Sequence, residues 1–339
     1  MRAMVVVEIA GFDEHSEPLQ LQEMARPEPG EHEILVKVSV CGVCHTELDE
    51  IEGRTPPANL PVVPGHEVVG RIVAMGSGCD RYEIGQRVGI GWIHSSSGGD
   101  DENVSGAFTA TGRDVNGGYA EYAVVSEVYA YAIPDVFTDA EAAPLLCAGA
   151  VGYRSLRLTN IRDGQVLGLT GFGGSGHLVL QLAKHLYPAG KVFVFARSEA
   201  ERAFALELGA DWSGDTCDSP PEPPHAIIDT TPAWKPVLAA LEVLRPGGRL
   251  VINAIRKEDA DRHPMAEIRY EDHLWLEKEV KSVANVTRKD IEEFLPIAAE
   301  IPLHVETQAY PLEKANQALR DLRSGHVRGA KVLTISEPS

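Results

Sequence analysis

The residues best equipped for chemistry are Cys44, His66 and Cys147. Cys44 ends the run Cys41-Gly-Val-Cys44 and is followed by His45-Thr46-Glu47, His66 sits in Pro64-Gly65-His66-Glu67, and Cys147 sits in Pro144-Leu-Leu-Cys147-Ala-Gly149. Taken singly each is ordinary, because a cysteine in an apolar run is usually a small core residue and a lone histidine usually belongs to a turn. Taken together, two soft thiolates and one imidazole fill three of the four tetrahedral positions that zinc prefers, leaving the fourth for water or substrate.

A second constellation begins at the strand-like run Val166-Leu-Gly-Leu-Thr170, which leads directly into Gly171-Phe-Gly173-Gly174-Ser-Gly176-His177 and an apolar helical stretch. The GxGxxG pattern is informative only in this setting of strand, turn and helix. Gly171 suits the tight turn, Gly173 lets backbone approach a pyrophosphate, and Gly176 lets the helix pack close to the strand, with the phosphates at the helix N-terminus. Gly174 belongs to the same turn. The next strand ends in Ala196-Arg197-Ser198, where an enzyme using NAD offers Asp or Glu to the ribose hydroxyls. With no carboxylate to repel a 2′-phosphate, and with Arg197 and Ser198 able to hold one, the residues favour NADP over NAD. The competing reading leaves Arg197 stacked on adenine or facing water.

Two kinds of scaffold must position these groups. Over the first 150 residues, short apolar or alternating runs at 3–9, 33–40, 68–74, 86–90 and 119–125 are separated by Gly, Pro and Asp turns, which predicts a β-rich, antiparallel or barrel-like domain. From about residue 151 strands at 166–170, 192–195, 226–229 and 250–253 alternate with helices at 176–186, 199–208 and 237–244, which predicts a doubly wound parallel sheet. A strand near 280–284, helices at 289–299 and 314–323 and strands at 304–308 and 331–335 complete the chain, and this tail is expected to return to the first domain. The expected division is 1–150, completed by 287–339, and 151–286. Asp218-Ser-Pro-Pro-Glu-Pro-Pro-His225 is too proline-dense for helix or central strand and reads as a surface loop.

Composition narrows the function classes. At 339 residues the chain has room for two domains with sizeable cores, and 44% hydrophobic with 24% charged residues excludes a disordered or fibrous chain. Lys and Arg number 31 against 50 Asp and Glu, a net charge of −19 that repels polyphosphate and argues against a nucleic-acid partner. No apolar run approaches the roughly 18 residues that span a bilayer, and the N-terminal residues lack signal-peptide character. A cytoplasmic protein with no membrane partner is expected. Five cysteines, Cys41, Cys44, Cys79, Cys147 and Cys217, are too few and too unevenly spaced for a disulfide framework.

Cys44-His45-Thr46, Gly65-His66-Glu67, Leu146-Cys147-Ala148-Gly149 and the glycine turn together resemble the zinc-dependent alcohol dehydrogenases of the medium-chain dehydrogenase/reductase family, over nearly the whole chain. Gly117-Gly118-Tyr119-Ala120-Glu121-Tyr122 and Arg245-Pro-Gly-Gly-Arg249 are similar to further segments of that family. The resemblance implies an α/β protein with a GroES-like β-rich catalytic domain and a Rossmann domain built on a doubly wound parallel sheet. It also implies hydride transfer between an alcohol or carbonyl substrate and NAD(P). Cys44, His66 and Cys147 match the ligands of one catalytic zinc, and Glu67 matches a carboxylate that approaches the metal when the fourth ligand exchanges. Thr46 matches the hydroxyl that takes the alcohol proton, His45 a residue reaching the cofactor pyrophosphate, and Glu47 a carboxylate, usually Asp, that orients the zinc-bound histidine. Asp49 stands where many relatives place a histidine at the outer end of the proton relay. Trp92 matches a substrate-pocket aromatic.

One lobe departs from the family. Many relatives carry four closely spaced cysteines there that hold a structural zinc, whereas residues 92–105 contain none, so no second zinc is expected. His94, Asp100, Asp101 and Glu102 either hold a harder cation or, as favoured here, form a solvated acidic loop. Relatives assemble as homodimers or homotetramers through the edge of the cofactor-domain sheet, and the same is expected of this chain. Two other readings compete. A zinc-free NADPH-dependent quinone or enoyl reductase of the same fold would have no use for the two thiols and His66. A non-catalytic dinucleotide-binding protein would have no use for Thr46.

Overall fold

The structure, a computed structural model, describes residues 1–13, 15–301, 303–325 and 329–336. The chain forms two compact units, one of residues 1–150 with 286–339 and one of residues 151–285.

The unit of residues 151–285 is built on a six-stranded parallel sheet in the order Trp212–Gly214, Lys191–Phe195, Val166–Thr170, Ala226–Asp229, Arg249–Ile252 and Glu279–Ser282. Numbered along the chain this order is third, second, first, fourth, fifth, sixth, the Rossmann arrangement. All five residues of Val166–Thr170 and all four of Ala226–Asp229 are buried. Strands covered on both faces carry apolar runs instead of alternation, and these runs are apolar up to their last residues, Thr170 and Asp229. Each buried Val, Leu or Ile side chain contributes about 1.5–3 kcal/mol. Helices Gly176–Leu186, Glu199–Glu207 and Lys235–Val243 connect the strands. Strand order reverses between Val166–Thr170 and Ala226–Asp229, and the crevice at the carboxyl ends of two such strands is where open α/β sheets bind ligands.

The other unit is organised by one long strand, Glu33–Val43. Its first half pairs antiparallel with Tyr122–Ser126 and its last four residues with Ala330–Thr334, in the register Cys41 to Leu333. Val68–Met75, Arg87–Ile90 and Ala130–Ala132 extend the sheet on one side, and Thr307–Pro311 extends it on the other, parallel to Ala330–Thr334. Val36, Val38, Cys41 and Val43 point into a core shared with Ile34, Leu48, Val68, Ile90, Tyr119 and Leu333. The short strand Leu19–Glu23, absent from the sequence reading, pairs with Arg2–Val6. It is anchored by Asn316, which accepts from the Leu19 N–H at 3.1 Å and donates to the Leu19 carbonyl at 2.9 Å.

Residues 92–105 correct one expectation. Asp100 and Asp101 are exposed as a solvated loop requires, but Glu102 is 1% exposed. Its carboxylate accepts from the Tyr129 hydroxyl at 2.8 Å and from the Arg288 backbone N–H. Glu102 is thus an internal anchor for the loop, because a buried carboxylate must find donors. Among the described residues, His94, Asp100, Asp101 and Glu102 form no common donor cluster.

Candidate active site

The strand Glu33–Val43 delivers the chain to Cys44, which caps the helix His45–Ile51 with extended backbone at φ −117° and ψ 163°. Glu47, three residues into the helix, uses both carboxylate oxygens. One accepts from the Cys44 backbone N–H at 2.8 Å, and the other lies 2.7 Å from His66 Nδ1. The same group therefore closes the helix end and turns the imidazole so that Nε2 faces the thiols. His66 Nε2 is 3.3 Å from Cys147 Sγ, and the two sulfurs of Cys44 and Cys147 are 4.0 Å apart. One carboxylate oxygen of Glu67 completes a group of four donors, all within 4.8 Å of one another. A tetrahedral zinc with bonds of about 2.3 Å to sulfur and about 2.0 Å to nitrogen needs donors roughly 3.5–3.8 Å apart. The donor set fits that ion in type and in spacing. Glycine is required at position 42, where a Cβ would lie 1.7 Å from Glu67 Oε2.

Electrostatics give the same account of the site. The hydrogen bond shared by the two thiols holds Cys44 well below its ordinary value and pushes Cys147 well above it. Burial alone would depress His66, but the Glu47 carboxylate and Cys44 outweigh it and hold the imidazole well above its usual range. Burial pushes Glu67 well up, and the charge on Cys44 adds to the shift. Burial also raises Glu47, against the pull of His66. A divalent ion among these donors would change that balance, drawing both thiols into the thiolate form and leaving His66 neutral.

Around these donors the sequence-expected residues are placed as follows. Thr46 is 6% exposed, with Oγ1 3.5 Å from Cys44 Sγ. His45, its neighbour, is exposed at the helix start. Trp92 stands edge-on to the His66 ring at 5.0 Å between centroids. Asp49 is buried and accepts from Arg54 Nε at 2.6 Å; burial pushes its carboxyl up while Arg54 pulls it back. Sequence reasoning missed Glu50, one helical turn after Thr46 and 1% exposed, whose two carboxylate oxygens have no hydrogen-bond partner among the described residues. The signal was present in the spacing, since residues four apart share a helix face.

In the unit of residues 151–285 the glycine turn has the geometry its sequence requires. Gly171 has φ +80°, and a Cβ on Gly176 would lie 2.8 Å from the Gly171 carbonyl, so the helix sits against the turn. A Cβ on Gly173 would meet nothing within 4 Å, leaving open space over that backbone. Gly174 follows in the same turn, and the Gly173 carbonyl accepts from His177 Nδ1 at 2.9 Å. Arg197 and Ser198 are exposed beyond the strand Lys191–Phe195. There the Ser198 N–H donates to Glu201 at 3.4 Å. Arg202, which sequence reasoning missed, donates to the Ala196 and Arg197 carbonyls at 2.8 and 2.9 Å. Also missed was a buried network at the carboxyl ends of the central strands. Asp229 accepts from Thr170 Oγ1 at 2.6 Å, from Thr231 Oγ1 at 2.8 Å and from Lys257. An aspartate ending the apolar run Ala226-Ile-Ile-Asp229 was its only trace in the sequence.

Comparison with known proteins agrees with this geometry. Residues 30–135 match the alcohol dehydrogenase GroES-like domain family, and residues 174–300 match the zinc-binding dehydrogenase family. A probable alcohol dehydrogenase of Mycobacterium tuberculosis, AdhA, is 40% identical over 329 residues, covering 94% of this chain and 93% of that protein. Among solved structures, a cinnamyl alcohol dehydrogenase from Sorghum bicolor is 26% identical with a TM-score of 0.82, covering 100% of this chain and 98% of that one. A CAD from Helicobacter pylori complexed with NADP(H) has the same fold, at 22% identity and a TM-score of 0.85, covering 100% of this chain and 99% of that one.

Proposed function

The chain belongs to the zinc-type alcohol dehydrogenases of the medium-chain dehydrogenase/reductase family and is a dinucleotide-dependent oxidoreductase acting on CH–OH; from that premise we propose how its own residues do this. In this reading Cys44, His66 and Cys147 hold a single catalytic zinc, and NADP is the preferred dinucleotide. The observation that carries it is the convergence of two thiols and an imidazole at zinc-compatible spacing, with Glu47 fixing the imidazole tautomer.

When bound, zinc supplies Lewis acidity toward the substrate oxygen and the nicotinamide supplies or takes the hydride. The protein does the rest. Thr46 Oγ1 takes the alcohol proton, or returns it when a carbonyl is reduced. Asp49, three residues on, is the outer member of the relay in place of a histidine; burial raises its carboxyl while Arg54 pulls it back. Glu67, clustered with the other donors, would serve as an alternate ligand to the metal, and Trp92 covers His66 and keeps water off it. His45, exposed at the start of the helix His45–Ile51, is the residue the family pattern assigns to the cofactor. The turn Gly171, Gly173, Gly174 and Gly176 takes the pyrophosphate in the other unit. The substrate is a small alcohol or aldehyde. We also propose a cytoplasmic location, supported by five cysteines that are all free. A homodimer or homotetramer is supported by the edge strand Glu279–Ser282, exposed at every residue beside exposed Trp275 and Leu276.

Metal analysis of protein purified without chelator tests the reading, with close to one zinc per chain expected and turnover lost on chelation and restored by zinc. A metal-free protein with full turnover would make the zinc-free reductase the better account. The dinucleotide preference has its own test. Arg197→Ala is expected to raise KM for NADPH about tenfold, the effect of losing one charge-assisted contact, with KM for NADH changed less than about twofold. Equal changes for both would remove the 2′-phosphate role.

A further inference from the structure

The helix that carries Thr46 and Glu47 carries a further acid on the same face, and neither the zinc site nor the proton relay uses it. Glu50 is three residues beyond Glu47 and four beyond Thr46, the two spacings that place side chains on one helix face. It is 1% exposed, and both carboxylate oxygens lack a hydrogen-bond partner among the described residues. Glu47, on the same face, reaches His66 Nδ1 at 2.7 Å, whereas Asp49 and Glu52 are paired with Arg54. Arg113 is a cation whose charge acts on Glu50. Arg113 lies 5.4 Å over the Trp92 ring and 5.6 Å over the Phe108 ring, forked onto Asp114 at 2.9 and 2.7 Å. The Trp92 indole N–H is buried and also unpartnered.

A buried carboxylate with no donor is among the costliest groups a fold can keep, and an apolar side chain of similar size in its place is often neutral or stabilising. Groups retained against stability in this way are characteristic of functional sites. Resting on the alcohol dehydrogenase reading above, we propose that Glu50 determines specificity, receiving a second hydrogen-bond donor of the substrate, a hydroxyl or an ammonium, distinct from the reacting hydroxyl. Residues four apart on a helix have Cβ atoms about 5–6 Å apart, so probes carrying the second group about four carbons from the reacting hydroxyl are of the matching scale. A plain alcohol leaves Glu50 unpaired in the bound complex. A site built for a polar group discriminates strongly against an analogue that lacks it, for that reason.

Three probes with the same number of heavy atoms test this on the zinc-loaded enzyme with dinucleotide: pentan-1-ol, butane-1,4-diol and 4-aminobutan-1-ol. The wild type is expected to favour at least one of the two bifunctional probes over pentan-1-ol by at least about tenfold in kcat/KM. Glu50→Leu is expected to remove that preference, leave pentan-1-ol within about threefold and hold or raise the melting temperature. Glu50→Gln separates the two sources. A preference that survives the amide names a hydroxyl, and one that disappears with the charge names an ammonium. A wild type that favours pentan-1-ol overturns the proposal, as does a Glu50→Leu variant that loses all three activities equally or melts lower with its preference intact. If the wild type oxidises pentan-1-ol without discrimination, Glu50 alone is misassigned; if it oxidises none of the three with zinc and dinucleotide bound, the underlying reading falls as well.

Discussion

Cys44→Ser is expected to remove the metal and lower turnover at least about a thousandfold, with dinucleotide binding changed little. The magnitude follows from the Lewis acid's contribution of several kcal/mol, at a factor of ten per 1.36 kcal/mol. The physical cause is local. Cys44 offers one of the two soft sulfur donors, and a serine hydroxyl in its place stays protonated and is too hard and too short to serve. The same change removes the sulfur 4.0 Å from Cys147 Sγ, so the donor set keeps a single thiol. The glycine turn lies in the other compact unit and makes no use of Cys44, so fluorescence titration with NADPH should give a binding constant within about threefold of wild type. Elemental analysis and steady-state assays complete the experiment. A variant depleted of metal that still turns over at the wild-type rate would remove zinc from the mechanism.

Thr46→Val is the second large effect, expected to lower kcat by about a hundred- to ten-thousandfold, the range for loss of a positioned proton-transfer group. Valine keeps the branched shape of threonine, and the residue is only 6% exposed, so the helix should remain in place with zinc content unchanged. The discriminating readout is the pH profile. Without the hydroxyl the proton must leave to solvent, so the rate for alcohol oxidation should recover partly as pH rises, and Thr46→Ser should restore most of the activity. A flat loss across pH with falling zinc content would instead mean that Thr46 supports the Cys44 sulfur, 3.5 Å from its hydroxyl, and moves no proton.

Much of the architecture was legible because the signals that specify it are local. The strand Val166–Thr170 and the helix Gly176–Leu186 have the bounds the sequence implies, since an apolar run, a glycine turn and helical periodicity succeed one another without a break. The α/β class, with one β-rich part and one parallel-sheet part, follows from the change of period near residue 151. Elements whose bounds depend on a distant partner were placed less well. The expected strand 304–308 is observed at Thr307–Pro311, because its register is set by pairing Thr307 with Ala330. The strand expected at 119–125 begins at Tyr122, because Tyr119 and Ala120 bond instead to the N-terminal strand around Ala3 and Met4.

The sequence by itself determined the chemical inventory: two thiols and an imidazole of the right softness, a hydroxyl and a carboxylate beside one of them, and a glycine turn between a strand and a helix. Residue type and short spacing carry that information without any long-range contact. Only the tertiary structure decided how the inventory is used. It brings Cys44 and Cys147, 103 residues apart, within 4.0 Å, and it turns Glu102 inward onto Tyr129 and Arg288. It also pairs Asp49 with Arg54 while leaving Glu50, the next residue, buried and unpaired. Burial and partnership are properties of packing between segments far apart in the chain, so two adjacent acids with the same local signal came to opposite environments.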